Sequence, residues 1–107
     1  VPVVPGGPRG LGAVIGQTPE AVLKRFAPAN LDRSDGPARM LQFKRAGCIF
    51  DVYFYADRGT RLMSGRHAEA RLPDGRPSDV TACINQQLDL LNPPPPPVPP
   101  PPTFPAS

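Results

Sequence analysis

The chain has 107 residues, a formal charge of +3 and two cysteines, enough for one small domain and no second one. Ten of its twelve basic residues are arginine. They are dispersed and most have an acid nearby (Arg33 with Asp32 and Asp35, Arg58 with Asp57, Arg76 with Asp74), so the basic stripe with interleaved aromatics of a nucleic-acid binder is missing and no nucleic-acid partner is expected. No apolar run approaches the roughly eighteen residues of a membrane span, so no transmembrane segment is expected either.

The eighteen prolines are concentrated at the ends, in "VPVVPGGPRG" and "PPPPPVPPPPTFPAS". This divides the chain into an extended Pro/Gly arm (1–10), a folded domain (11–92) and a Pro-rich tail (93–107). A domain of about eighty residues buries only a modest core and often relies on a covalent staple. The chain starts at Val1 rather than methionine, as a processed mature protein or a trimmed fragment would. An export signal would then lie outside it.

After the arm, Thr18 is a good N-cap and Pro19 suits the first helical position, with Glu20 favourable beside it. Val22 and Phe26 lie four apart on one face, so a short helix is expected, stopped by Pro28. "NLDRSDGPARMLQFKRAGC" reads as strand, turn, strand. Asp35-Gly36 is the expected turn pair, and Pro37 after it points to a sheet edge or a looser loop. Leu41 and Phe43 alternate with Met40, Gln42 and Lys44, the pattern of a strand with one wet face. Ala46-Gly47 makes a second tight connection.

The clearest strand is 48–56. Cys48, Phe50, Val52 and Phe54 form its apolar face, and Ile49, Asp51, Tyr53 and Tyr55 the opposite one. After Asp57-Arg58-Gly59 turns the chain, "TRLMSGRHAEARL" reads as a weaker strand with Gly65 as a candidate bulge. "PDGRP" is another turn. Ser78 is the expected N-cap of a final helix in which Val80, Cys83, Ile84, Leu88 and Leu91 recur at helical spacing, with Pro93 ending it. The fold class is therefore α+β: a short N-terminal helix, a three- to four-stranded antiparallel sheet, and a C-terminal helix packed on one sheet face.

Cys48 lies on the apolar face of its strand and Cys83 on the apolar face of the last helix. If that helix covers that sheet face, the two sulfurs meet. There is no CxxC, and His67 alone cannot complete a zinc site with them, so no metal site is expected. A disulfide is the reading this favours, worth roughly 4 kcal/mol on the chain-entropy model and placing the protein in an oxidising compartment. Free buried cysteine, a common small core residue, is the alternative.

"VIGQTPEAVLKRFAPANLDRSDGPARMLQFKRAGCIFDVYFYAD" resembles the SmpA/OmlA (BamE-like) superfamily of small envelope lipoproteins. Gly16-Gln17-Thr18 matches the Gly-x-Thr start of that family's helix. Phe26-Ala27-Pro28 matches its "FGxP"-like end with alanine in place of glycine, and Leu41-Gln42-Phe43 stands where the family has aromatic-x-aromatic. The resemblance covers about residues 11 to 65. It implies a periplasmic or outer-membrane-associated, non-enzymatic domain that touches other envelope or membrane-complex proteins. No lipobox cysteine heads the chain, so a lipid anchor would have been lost with a missing N-terminus. The family's shape is also similar to that of some protein inhibitors of hydrolases.

No catalytic constellation is expected. His67 and Glu69, two apart on one strand face, are the nearest to a base held by a carboxylate, with exposed hydrogen-bond partners as the simpler reading. No cofactor is implied. Ile49, Tyr53 and Tyr55 are costly to leave in water as a group, so either another element such as the N-terminal arm covers them or a partner does. The other candidate partner-binding segment is the tail: Pro93, Pro94, Pro95, Pro96, Pro97, Val98, Pro99, Pro100, Pro101 and Pro102, closed by Phe104 as an anchor. Such a run favours polyproline II and is stiff before it binds, so it serves either as a docking strap or as a spacer. The functional expectation is a periplasmic interaction module in a membrane-protein complex. The alternatives are a secreted inhibitor or solute-binding domain and, last, an enzyme using His67 and Glu69.

Overall fold

The computed structural model describes residues 7–93 and 96–105, so the arm is visible only from Gly7, and Pro94 and Pro95 of the tail lie outside the described residues. The element order is a 3-10 turn (Gly10–Ala13), α1 (Pro19–Phe26), β1 (Leu31–Asp35), β2 (Ala38–Arg45), β3 (Cys48–Ala56), β4 (Met63–Arg71) and α2 (Val80–Leu91). The strands form one antiparallel sheet in the order β1-β2-β3-β4. This is an α+β fold with helix packed against sheet.

Each element has a local cause. Thr18 Oγ1 accepts from the Ala21 N–H at 3.1 Å, satisfying one of the free donors at the start of α1. In α2 the capping side chain is Asp79, which accepts from the Ala82 N–H at 3.0 Å. Ser78, the expected cap, instead donates its own N–H to the Ala70 carbonyl, a continuation of the β4 edge. An aspartate in the next position caps as well as serine, and the β4 contact settles which one does.

The β1–β2 hairpin also departs from expectation by one residue. Asp35 pairs with Ala38, so the turn residues are Gly36 and Pro37, with Gly36 at φ 58°. Proline cannot donate to a ladder, and placing it inside the turn leaves it nothing to donate. β1 is an exposed edge along its whole length. It is held by the Arg39 guanidinium, which forks onto Asp32 with Nε–Oδ1 3.0 Å and Nη2–Oδ2 2.8 Å. Those bonds hold the Asp32 carboxyl below the usual carboxylate range.

The β2–β3 hairpin closes through Ala46 (φ 52°) and Gly47 (φ 75°), with Arg45 opposite Cys48. Two positive φ values make this a type I′ turn, which asparagine followed by glycine adopts most readily. Alanine at the first position is strained. Ala46→Asn is therefore expected to stabilise the fold by about 1 kcal/mol. The check is urea unfolding: the midpoint should rise with an unchanged slope. The Ala46 carbonyl, which accepts from Gln86 Nε2 at 3.1 Å, is a backbone group and is kept by the variant.

The core lies between the sheet and the helical layer. Phe26 of α1, Phe43 of β2 and Phe50 of β3 meet with ring centroids 5.1–5.5 Å apart. Leu41, Val52, Phe54, Ile84 and Leu88 complete the centre. Cys48 and Cys83 form a disulfide with a Cα–Cα distance of 5.9 Å, so the first residue of β3 and the first turn of α2 are joined covalently at one end of the sheet. Beside it lies a feature the apolar stripe of α2 does not announce. Gln87 is fully buried, and its Nε2 donates to the carbonyls of Phe43 and Cys48, both at 3.1 Å. The two bonds tie the inward face of α2 to the backbone at the closed end of the β2–β3 hairpin.

The arm is not extended to its end. Gly10 opens the 3-10 turn, and its N–H donates to Asn85 Oδ1 at 2.6 Å. Arg9 pairs with Asp89 at 2.9 Å, and Arg25 donates to the Pro8 carbonyl. Ala13 and Val14 are buried in the core. Residues 14–17 then cross the outer side of β4, where Ile15 bridges Gly65 in parallel. The β4 bulge falls there too. Tyr53 faces His67 and Phe54 faces Gly65, which leaves Arg66 as the extra residue.

Candidate functional site

Both helices and the 3-10 turn occupy one side of the sheet, and the described residues place no element over the other. The period of two along β3 turns Ile49, Asp51, Tyr53 and Tyr55 toward that open side. Register sets their neighbours: Ile49 lies between Lys44 and Arg71, Asp51 between Gln42 and Glu69, Tyr53 between Met40 and His67, and Tyr55 between Ala38 and Ser64. The N-terminal arm, considered from sequence as a cover, instead packs on the α2 side from Gly7 onward.

This face is uneven. At the Cys48 end, Ile49 is only 7 % exposed and Asp51 only 3 %. Arg71 reaches from opposite Ile49 to Asp51, with Nη1–Oδ2 2.6 Å, and Gln42 Nε2 donates to Asp51 Oδ1 at 3.0 Å. The long stems of these side chains lie along the sheet while their polar ends meet the carboxylate. Ile49 is thus covered within the domain and adds nothing to an open surface, unlike the tyrosines with which the sequence groups it. Asp51 is an internal tie between three strands.

Toward the β1–β2 turn the surface opens. Tyr55 is 41 % exposed and Tyr53 half-buried, while Met40 beside them is buried although it sits on the side the sequence reads as wet. A cleft of about 260 Å³ lies here, with Arg33, Pro37, Met40, Tyr53 and Tyr55 in its walls. Burial, with the Asp51 and Glu69 carboxylates nearby, pushes the Tyr53 phenol above its ordinary pKa, so it stays a neutral donor across the physiological range. The cleft combines aromatic surface, one sulfur-bearing floor and a flanking guanidinium.

His67 Nε2 and Glu69 Oε1 lie 2.9 Å apart, each side chain more than half exposed. The imidazole ring is 5.8 Å from the Tyr53 ring. Neither residue borders the clefts at the tyrosines or the helix ends. No group of three or more His, Cys, Asp or Glu among the described residues could hold a metal ion. No helix among them is long and apolar enough to cross a membrane.

A larger cleft of about 740 Å³ separates the arm from the ends of the two helices, with Arg9, Lys24, Arg25 and Leu91 among its walls. Arg9 and Arg25 are already engaged there, with Asp89 and with the Pro8 carbonyl, so it reads as the seam of the strapped arm. The tail begins at its rim. Val98 is 89 % exposed and Phe104 80 %. The radius of gyration, 18.4 Å, exceeds the roughly 13 Å of a compact chain of this length, so the described tail projects away from the domain.

Comparison with protein-family models, with curated proteins and with solved structures found no match for this chain.

Proposed function

We propose that this chain is a non-enzymatic protein-interaction module of the bacterial periplasm, similar to the BamE-like envelope lipoproteins, and acts as a structural or assembly subunit of an envelope or membrane-protein complex. The observation that carries the reading is the Tyr53/Tyr55 surface, which no described element covers, set on a sheet whose opposite side holds the hydrophobic core cluster. A binding surface on strands is held more precisely than one on loops. The Cys48–Cys83 disulfide supports an oxidising compartment. The tail supports the interaction reading because a run of prolines is already confined near polyproline II and loses little entropy when it docks.

The experiment is site-directed photo-crosslinking in a native envelope extract, with a photoreactive phenylalanine analogue at position 55 or, as control, at position 90. Leu90 is exposed on α2, away from the tyrosines. Discrete adducts at position 55 and none at 90 are expected. Equal labelling at the two positions, or none at either, contradicts an interface on the open face.

A further inference from the structure

We infer that the tyrosine face is the docking site for the Pro-rich tail of a second copy of this chain, so that two chains exchange tails. The inference rests on the reading of the tail as a strap and names what the strap grips.

The two surfaces are chemically matched. The tail from Pro96 to Pro105 carries no charged side chain and presents Val98 and Phe104 almost entirely to water. Extended proline segments are recognised by aromatic-lined grooves, because proline rings pack flat on tyrosine and the donors beside them meet tail carbonyls that have no intrasegment partner. The open face supplies this chemistry: Tyr53, Tyr55 and Met40 for packing, with Arg33 and the protonated Tyr53 phenol as donors at the same cleft. Its about 260 Å³ is large enough to take a proline or phenylalanine ring.

Stiffness selects the second copy over the tail's own domain. α2 lies on the side of the sheet opposite the tyrosines, and the tail leaves from its end at Asn92. The described run Pro96–Pro102 spans roughly 20 Å at about 3.1 Å per residue. Proline disfavours the helical region for the residue before it, so nothing in that run can reverse direction. Reaching the tyrosines of the same chain requires a turn around the sheet edge; reaching those of a neighbour requires none. Reciprocal exchange, two tails on two faces about a twofold axis, is the closed form.

The test is sedimentation equilibrium of the full chain from low micromolar to near millimolar concentration, with and without a synthetic peptide of residues 93–105. A monomer–dimer equilibrium is expected, dissociated by the peptide and absent from a chain ending at Asn92. Tyr55→Ala, whose side chain is too exposed for its loss to unfold the domain, should raise the dimer dissociation constant roughly tenfold; circular dichroism checks its fold. A full chain that stays monomeric throughout overturns the inference, as does a dimer that survives both truncation and Tyr55→Ala. A monomer that still captures an envelope complex through its tail would remove the exchange and leave the proposed function standing. A tail-dependent dimer that captures no complex would do the reverse.

Discussion

Replacing Cys48 and Cys83 together by alanine is expected to lower the free energy of unfolding by about 4 kcal/mol. The bridge closes a loop spanning 35 positions, and loss of that loop constraint in the unfolded chain sets the magnitude. The folded state suffers little by comparison. Both residues are buried among apolar groups, and the Cys48 carbonyl keeps its hydrogen bond from Gln87. Stabilities of small domains run to about 5–15 kcal/mol, so this single bond is a large share of what holds the domain together. The melting temperature should fall by about 15–30 °C, at the 4–8 °C per kcal/mol typical of this size. Thermal unfolding of the double variant and of the wild type, each with and without reductant, checks it. The reduced wild type should resemble the variant. A loss below about 1 kcal/mol would place the stability elsewhere.

The second large effect is expected at a residue with no side chain. A Cβ on Gly65 would stand 2.1 Å from the Val14 carbonyl oxygen, and the Val14 carbonyl carbon is close behind at 3.1 Å. Backbone cannot give way as a flexible side chain can, so Gly65→Ala must push residues 14–17 off the sheet. Two hydrogen bonds go with them: the Gly16 N–H to the Gly65 carbonyl and the Gly65 N–H to the Gln17 carbonyl, both 2.8 Å. With about 1 kcal/mol for each bond and the cost of burying unpaired groups, a loss of about 3 kcal/mol is expected. The variant should also show a specific symptom. Val14 is a core residue, and once displaced, the segment from Gly7 to Gln17 should be cleaved by protease well before the rest of the domain. Wild-type stability and an uncut arm in this variant would contradict the account of the crossing.

Much of the fold is legible because strong local signals agree. The alternation in "CIFDVYFYA" sorts core from open face correctly for Phe50, Val52 and Phe54, and the stripe on α2 brings Cys83 to Cys48. What escapes the sequence is what only tertiary contact decides. Ala13 and Val14 follow a Pro/Gly arm and have no periodicity, yet the seam between α2 and β4 draws them into the core. Gln87 occupies a helical position that faces inward, but only the carbonyls of Phe43 and Cys48 explain a glutamine there.

The candidate site shows the same division. Alternation finds the open face and its two tyrosines, but cannot say that Arg71 folds across Ile49 to reach Asp51. Nor does it reveal that Met40 is buried against the tyrosines. The tail is the opposite case: its composition alone restricts its shape, and its exposed Val98 and Phe104 leave its purpose to whatever they meet.

The most direct test of the interaction account is a pull-down from solubilised native membranes, comparing the intact chain with one ending at Asn92. The account predicts that a defined envelope complex is recovered with the intact chain and lost with the shortened one. Equal recovery would leave binding to the folded domain alone and reduce the tail to a spacer. No recovery with either chain would contradict the claim that this protein works by binding others.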